Sequence, residues 1–162
     1  MKESGYVEAI LLLSLTLLLT NCNSSNTNTT ANSNLEEAKK AIAVSNAIYF
    51  ESFVENDSSI FIDRYARDAC IMAPDAPQAC GHEEAAKFFR AAYDDYGLRG
   101  GKFITTAVYG DGVEYATEEG TWQSLNEKGE LFDNGKFLVL WKKTPGGWKM
   151  FRDSFSSNQN SK

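Results

Sequence analysis

Glu118 is the side chain best placed to move a proton. In the run Ala116-Thr117-Glu118-Glu119-Gly120-Thr121-Trp122, strand alternation sets Ala116, Glu118, Gly120 and Trp122 on one face, and small residues beside a Trp point to an inner face. Burial raises the pKa of a carboxyl there by disfavouring its charged form, which makes Glu118 a candidate general acid or base. In the opposite reading Glu118 and Glu119 straddle an exposed edge. Tyr49 either offers a hydroxyl to the same space or packs as an ordinary core residue. Arg152 alternates in step with Trp148 and Met150, which sends its guanidinium inward, toward Glu118 or an anionic ligand, and turns Asp153 the other way. The alternative is a surface ion pair made by Arg152 or Asp153. Phe53, Tyr65, Met72, Trp122 and Trp141 either line an apolar pocket, the usual make-up of a small-molecule site, or simply pack as core.

Other chemistries find no footing. His82 is the only histidine, so neither a histidine-based triad nor a multi-histidine metal site can be assembled within one chain, and no metal is expected. No cofactor is expected either. Gly97-Leu98-Arg99-Gly100-Gly101 follows a helix and precedes a strand, the reverse of the order that cradles phosphate. The net charge is −6, and basic residues occur singly or in pairs such as Lys39-Lys40 and Lys142-Lys143, which sets nucleic acid aside as a partner. Cys70 and Cys80 either pair or leave Cys70 as a small buried hydrophobe.

The apolar run Ile10 to Leu19 is about half the length needed to span a bilayer and suits a signal peptide. It leads into Leu19-Thr20-Asn21-Cys22, which resembles a bacterial lipobox, although Asn21 stands where a smaller residue is usual. On this reading residues 1–22 are a lipoprotein-type signal, and Cys22 carries the lipid. The protein is then exported to the bacterial cell envelope and meets membrane only through that anchor. In a eukaryotic secreted protein, Asn23-Ser24-Ser25 and Asn28-Thr29-Thr30 would instead be glycosylation acceptors. Residues 23–34 hold only Asn, Ser, Thr and Ala, a composition expected to stay a flexible tether, and residues 159–162 read as a polar tail.

The elements that must position Glu118 follow from periodicity in residues 35–158. Leu35, Ala38, Ile42, Ser45, Tyr49 and Phe53 recur at helical spacing and predict one long helix to Asn56-Asp57. A short helix over Ser58 to Tyr65 and a strand over Ala69 to Ala73 follow, and then Pro74 and Pro77 break the chain before a third helix from Glu83 to Tyr96. Four stretches rich in β-branched and aromatic residues, Phe103 to Tyr109, Val113 to Leu125, Phe132 to Lys143 and Trp148 to Phe155, are joined by turn sequences and predict an antiparallel meander. The order helix, helix, strand, helix and four strands gives an α+β fold of one domain. Its curved, mostly antiparallel sheet should roll into a cone-shaped half-barrel with three helices packed on the inner face.

Several short runs along this domain resemble the nuclear transport factor 2-like superfamily, in its SnoaL-like and ketosteroid isomerase-like branch. They are Asn56-Asp57, Tyr65-Ala66-Arg67-Asp68-Ala69, Pro74 with Gly81, Gly120 with Trp122, Asp133-Asn134-Gly135-Lys136-Phe137, Trp141, Gly147-Trp148-Lys149 and Arg152-Asp153. The resemblance covers Leu35 to Asn158 and implies a conical barrel with a pocket, a scaffold shared by isomerases, dehydratases, hydrolases, cyclases and plain binding or assembly modules. It also implies a homodimer through the outer sheet face. Ketosteroid isomerase-like members carry a catalytic carboxylate on the first strand, and here Ala73 occupies that place, whereas Tyr49, eight residues before Asp57, matches the family's first-helix tyrosine. Three functions stay open on this reading: binding of a small apolar or amphipathic molecule, acid/base catalysis by Glu118, and homodimeric assembly.

Overall fold

The stripe Ala38, Ile42, Ser45 and Tyr49 is buried along α1 (Ser25–Tyr49) in a computed structural model that describes residues 25–159. The signal segment and Cys22 lie outside the described residues. Among the described residues the helix runs from Ser25, so residues 25–34 are helical where a flexible tether is expected. Lengthening an existing helix needs no new nucleus, which lets a weakly helical composition follow the packed turns.

The single long helix expected to Asn56 is instead broken at Phe50, after which α2 (Glu51–Glu55) restarts. Tyr49 ends α1 and Phe50 stands at the restart, and both belong to the core. The break buries both, at 7% and 8% exposure, along with Phe53 at 0%, and the Ser52 hydroxyl donates to the Tyr49 carbonyl at 2.7 Å. Asn56 ends α2 in the left-handed region at φ 53°, its amide donating to the Ser52 carbonyl. A methyl side chain is disfavoured there, so Asn56→Ala should lower stability by about 1 kcal/mol in urea denaturation while Asn56→Gly does not. The next residue, Asp57, caps α3 (Ser58–Asp63) by accepting a 2.8 Å bond from the Ser59 amide, and Phe61 of that helix is fully buried.

The chain then forms β1 (Tyr65–Met72), a two-residue β2 (Ala79–Cys80) and α4 (Gly81–Asp94), followed by the meander β3 (Gly100–Tyr109), β4 (Tyr115–Leu125), β5 (Leu131–Thr144) and β6 (Gly147–Ser157). All six strands form one sheet in the order β2-β1-β6-β5-β4-β3, and only the β1–β6 pairing is parallel. The fold is α+β, with the helices on the inner face of a curved, unclosed and mostly antiparallel sheet. β2 and the break at Phe50 are additions to the order expected from sequence.

The inner layer is aromatic. Phe53 and Phe89 stack at 4.7 Å between ring centroids, and Phe61 meets Tyr49, Phe53, Tyr65 and Phe89 within 6 Å. Ring pairs offset or tilted in this way add to the area they bury. The sheet contributes Trp122, Phe137, Val139, Trp141 and Met150 to the same core.

Candidate functional site

Alternation along β4 buries Ala116, Glu118, Gly120, Trp122 and Ser124 and leaves the intervening residues more exposed. Glu118 is 0% exposed and held by three neutral donors. Its Oε1 accepts from Asn46 Nδ2 at 2.6 Å and from the Thr105 hydroxyl at 2.5 Å, and its Oε2 accepts from Trp141 Nε1 at 3.0 Å. Thus α1, β3 and β5 each supply one clamp on a carboxylate presented by β4. Desolvation raises the Glu118 pKa, and the three hydrogen bonds oppose that rise without cancelling it. Thr105 itself is exposed and Asn46 half-buried, so the buried carboxylate lies one side chain below the surface along the α1–β3 seam.

The expected partner cation is absent from this group because β6 does not keep strict alternation. Trp141 pairs with Met150 while the preceding Leu140 pairs with Arg152, which leaves Phe151 as an extra residue in a bulge. The bulge reverses the parity of everything after it. Arg152, expected inward, lies beside Phe151 with its guanidinium 3.8 Å from the ring centroid and donates to the carbonyls of Asp68 and Phe151. Asp153, expected to face away, is 8% exposed and turned into the cone.

Asp153 accepts a 2.6 Å bond from the Tyr65 hydroxyl, and burial pushes its pKa up to about 6, with Tyr65 pulling it down and the Glu118 charge adding to the rise. The hydroxyls of Tyr65 and Tyr49 are both shifted upward, first by burial and then by the Asp153 charge, so both stay protonated. The two carboxylates flank Val139, to which Glu118 pairs on one side and Asp153 on the other. Among the described residues neither has a Lys or Arg partner, and no group of three or more His, Cys, Asp or Glu could hold a metal. The arrangement can donate or accept a proton at two points across a short stretch of inner sheet.

Of the residues expected to surround a ligand, Tyr49, Phe53, Tyr65, Trp122 and Trp141 share the core with Glu118, each no more than 8% exposed. Met72 is half-buried at the end of β1 and paired with Ser154, one step past the row that joins Ile71, Asp153, Val139 and Glu118, so it takes the opposite face of the sheet from Glu118. Ala73 directly follows β1, so no first-strand carboxylate enters the cone. Cys70 and Cys80 are joined by a disulfide across β1 and β2. The His82 Nε2 sits 3.2 Å from the Tyr65 carbonyl oxygen, a backbone contact at the edge of the group. Two open concavities lie outside the cone. One of about 460 Å³ crosses the outer sheet face between Thr106, Thr121, Lys136, Leu138 and Ser156, and one of about 310 Å³ lies by Tyr109, Asp111 and Tyr115.

Asn46, Thr105 and Asp153 were not legible as site residues. Asn46 did leave a signal, since it stands four residues after Ile42 and three before Tyr49, a polar side chain bordering the apolar stripe. Its Oδ1 is buried without a donor, as are the Nε1 atoms of Trp122 and Trp148 without acceptors.

No protein-family model matches this chain, and no curated protein matches it by sequence. Solved structures do. The chain is similar to a ketosteroid isomerase-like protein from Erwinia carotovora atroseptica, with 20% identity and a TM-score of 0.63 over 80% of this chain and 99% of that one. It is also similar to a nuclear transport factor 2-like protein of unknown function from Shewanella oneidensis, with 17% identity and a TM-score of 0.62 over 74% and 98%. A protein of unknown function with a cystatin-like fold from Nostoc punctiforme gives 19% identity and a TM-score of 0.64 over 75% and 92%. These likenesses establish the nuclear transport factor 2-like, ketosteroid isomerase-like cone as the fold.

Proposed function

We propose that this chain is a small-molecule-binding domain whose site is the cone interior around Glu118 and Asp153, carried by an exported protein anchored through lipid on Cys22. The observation that carries the reading is the burial of two carboxylates with no cationic partner. Burying ionisable groups is costly, and a core needed only for packing is served better by apolar residues of the same size. Acids shifted upward by burial mark sites where a ligand or a proton is handled. The ligand is apolar or amphipathic, meets the rings of Tyr49, Phe53 and Trp141, and approaches Glu118 by displacing the Asn46 and Thr105 contacts. Native mass spectrometry of the protein incubated with extracts of its source cells tests this. A discrete retained mass that is lost in Glu118→Gln, a variant that keeps the shape of the side chain, is the expected result. A chain that stays bare in every extract sinks the reading.

Acid/base catalysis at the same site is the second reading, favoured by the Asp153 pKa of about 6, which lies near the pH at which a general acid or base works best. The outer face supports a third. Ile104 and Leu138 are 42% and 51% exposed on the face that carries the larger concavity, a surface suited to a second copy of the chain. Sedimentation on dilution separates this last reading from the others, because a monomer at every micromolar concentration removes it.

A further inference from the structure

α4 packs across β1 with His82 beside the Tyr65 carbonyl, and a disulfide holds the start of that helix. Ala85, Phe89 and Ala92 are its buried face, and Phe89 lies against Phe53 and Phe61. Cys80 occupies the residue before its first turn, where a Ser, Thr, Asp or Asn would normally bond the free amides, and Cys80 makes no such cap. Its sulfur is bonded to Cys70 instead. The pairing that brings the chain to this point is only Cys70 with Cys80 and Ile71 with Ala79. Pro74 to Gln78, the segment enclosed by the bridge, is exposed throughout.

Both ends of α4 are followed or begun by residues that can turn. Gly81 has φ 82° and Gly97 has φ 69°, left-handed conformations that glycine adopts without a steric penalty. The leading end of the helix is joined to the sheet by two backbone pairings and one covalent bond. The two cysteines differ in exposure. Cys70 is 7% exposed, whereas Cys80 is an exposed residue, so an incoming thiolate meets Cys80 first.

We propose that the Cys70–Cys80 bridge is a thiol-reversible latch on α4 that governs access to the Tyr65–Asp153 end of the cone. As regulation of the ligand site, the latch rests on the binding function proposed above. A dithiol is the co-reactant. One of its thiolates attacks Cys80 Sγ, the S–S bond breaks, and Cys70 leaves as a thiolate that takes up a proton. The second thiol of the reductant then displaces Cys80 from the mixed disulfide, so that two electrons and two protons pass to the protein and the reductant closes into its own disulfide. Freed of the bond, β2 separates from β1, the first turns of α4 swing about Gly81, and His82 leaves the Tyr65 carbonyl.

The test is hydrogen exchange on the full chain, oxidised and after treatment with excess dithiothreitol, with thiols counted by alkylation and mass. Two additional alkylated thiols should appear, and amides from Ala79 to Ala85 should exchange about tenfold faster or more, while β4 and β5 change by less than about twofold. The Cys70→Ser/Cys80→Ser double variant should reproduce the reduced pattern without reductant. Three results overturn the latch: a bridge that resists the dithiol in the folded protein, freed thiols with no selective change near Ala79, or acceleration spread evenly over the sheet, which marks a global staple. Exchange is read without any ligand, so a protein that opens at α4 but retains no mass from extracts refutes the binding function and leaves the latch standing.

Discussion

Trp141→Ala lowers the free energy of unfolding by about 3–5 kcal/mol, read from the midpoint and slope of urea denaturation. Trp141 is the largest of the fully buried side chains, and its loss opens a void beside Ala116 and Met150, its cross-strand partners, that close-packed neighbours cannot fill without leaving their own contacts. Its indole also donates to Glu118 Oε2, so the truncation strips a buried carboxylate of one donor. Trp141→Phe separates the two effects. It keeps most of the ring and removes the N–H, and should lower stability by about 1–3 kcal/mol, the loss growing as rising pH ionises Glu118. Equal losses for the two variants would show that the hydrogen bond, and not the packed volume, is what Trp141 contributes.

Asp153 makes the protein less stable as pH rises. Its folded pKa of about 6 lies above the ordinary value of 3.8, so the folded state holds the proton more tightly than the unfolded one. Between those two values the folded state binds more protons, and the free energy of unfolding falls with increasing pH. The full loss, on the order of 3 kcal/mol, is reached above the folded pKa and is absent below the unfolded one. Glu118, shifted in the same direction, adds to the slope. Asp57, Asp63 and Asp68 are shifted downward and work with the opposite sign, but they are at the surface, where such contributions are small. Asp153→Asn keeps an acceptor for the Tyr65 hydroxyl and removes the ionisation, so at about pH 8 it should be more stable than the parent by about 2 kcal/mol, and at about pH 4 no more stable. A parent whose stability is flat from about pH 4 to pH 7 would rule the effect out.

The fold was legible because its determinants are local and repeated. Helical spacing from Ala38 to Tyr49, the strand alternation that buries Glu118 and Trp122, and turn residues at each end of the meander all agree with one architecture. What escaped were events that a period cannot encode. Extrapolating alternation from Trp148 and Met150 put Arg152 inside and Asp153 outside, because one extra residue at Phe151 changes every later side, and a bulge has no sequence signature as plain as a turn. The break at Phe50 escaped for a related reason, since the packing of Tyr49 and Phe50 into one core is a tertiary effect that overrides a helical run. Asn46 and Thr105 contact Glu118 from a different helix and a different strand, and no spacing along the chain predicts such a meeting.

The parallel pairing of β1 with β6 fixes an order of events in synthesis. β1 leaves the ribosome before the meander, yet on its long side its only neighbour is β6, the strand made after the rest of that meander. Until Met150 to Ser154 emerge, β1 has only two-residue β2 beside it, and the aromatic layer of α2, α3 and α4 has half a sheet to rest on. Contacts that close so large a loop are slow to form and arrive late. β6 must therefore have left the ribosome before this domain can be trapped in its native form, and a nascent chain stalled short of that eleven-residue strand remains a substrate for unfoldases and proteases.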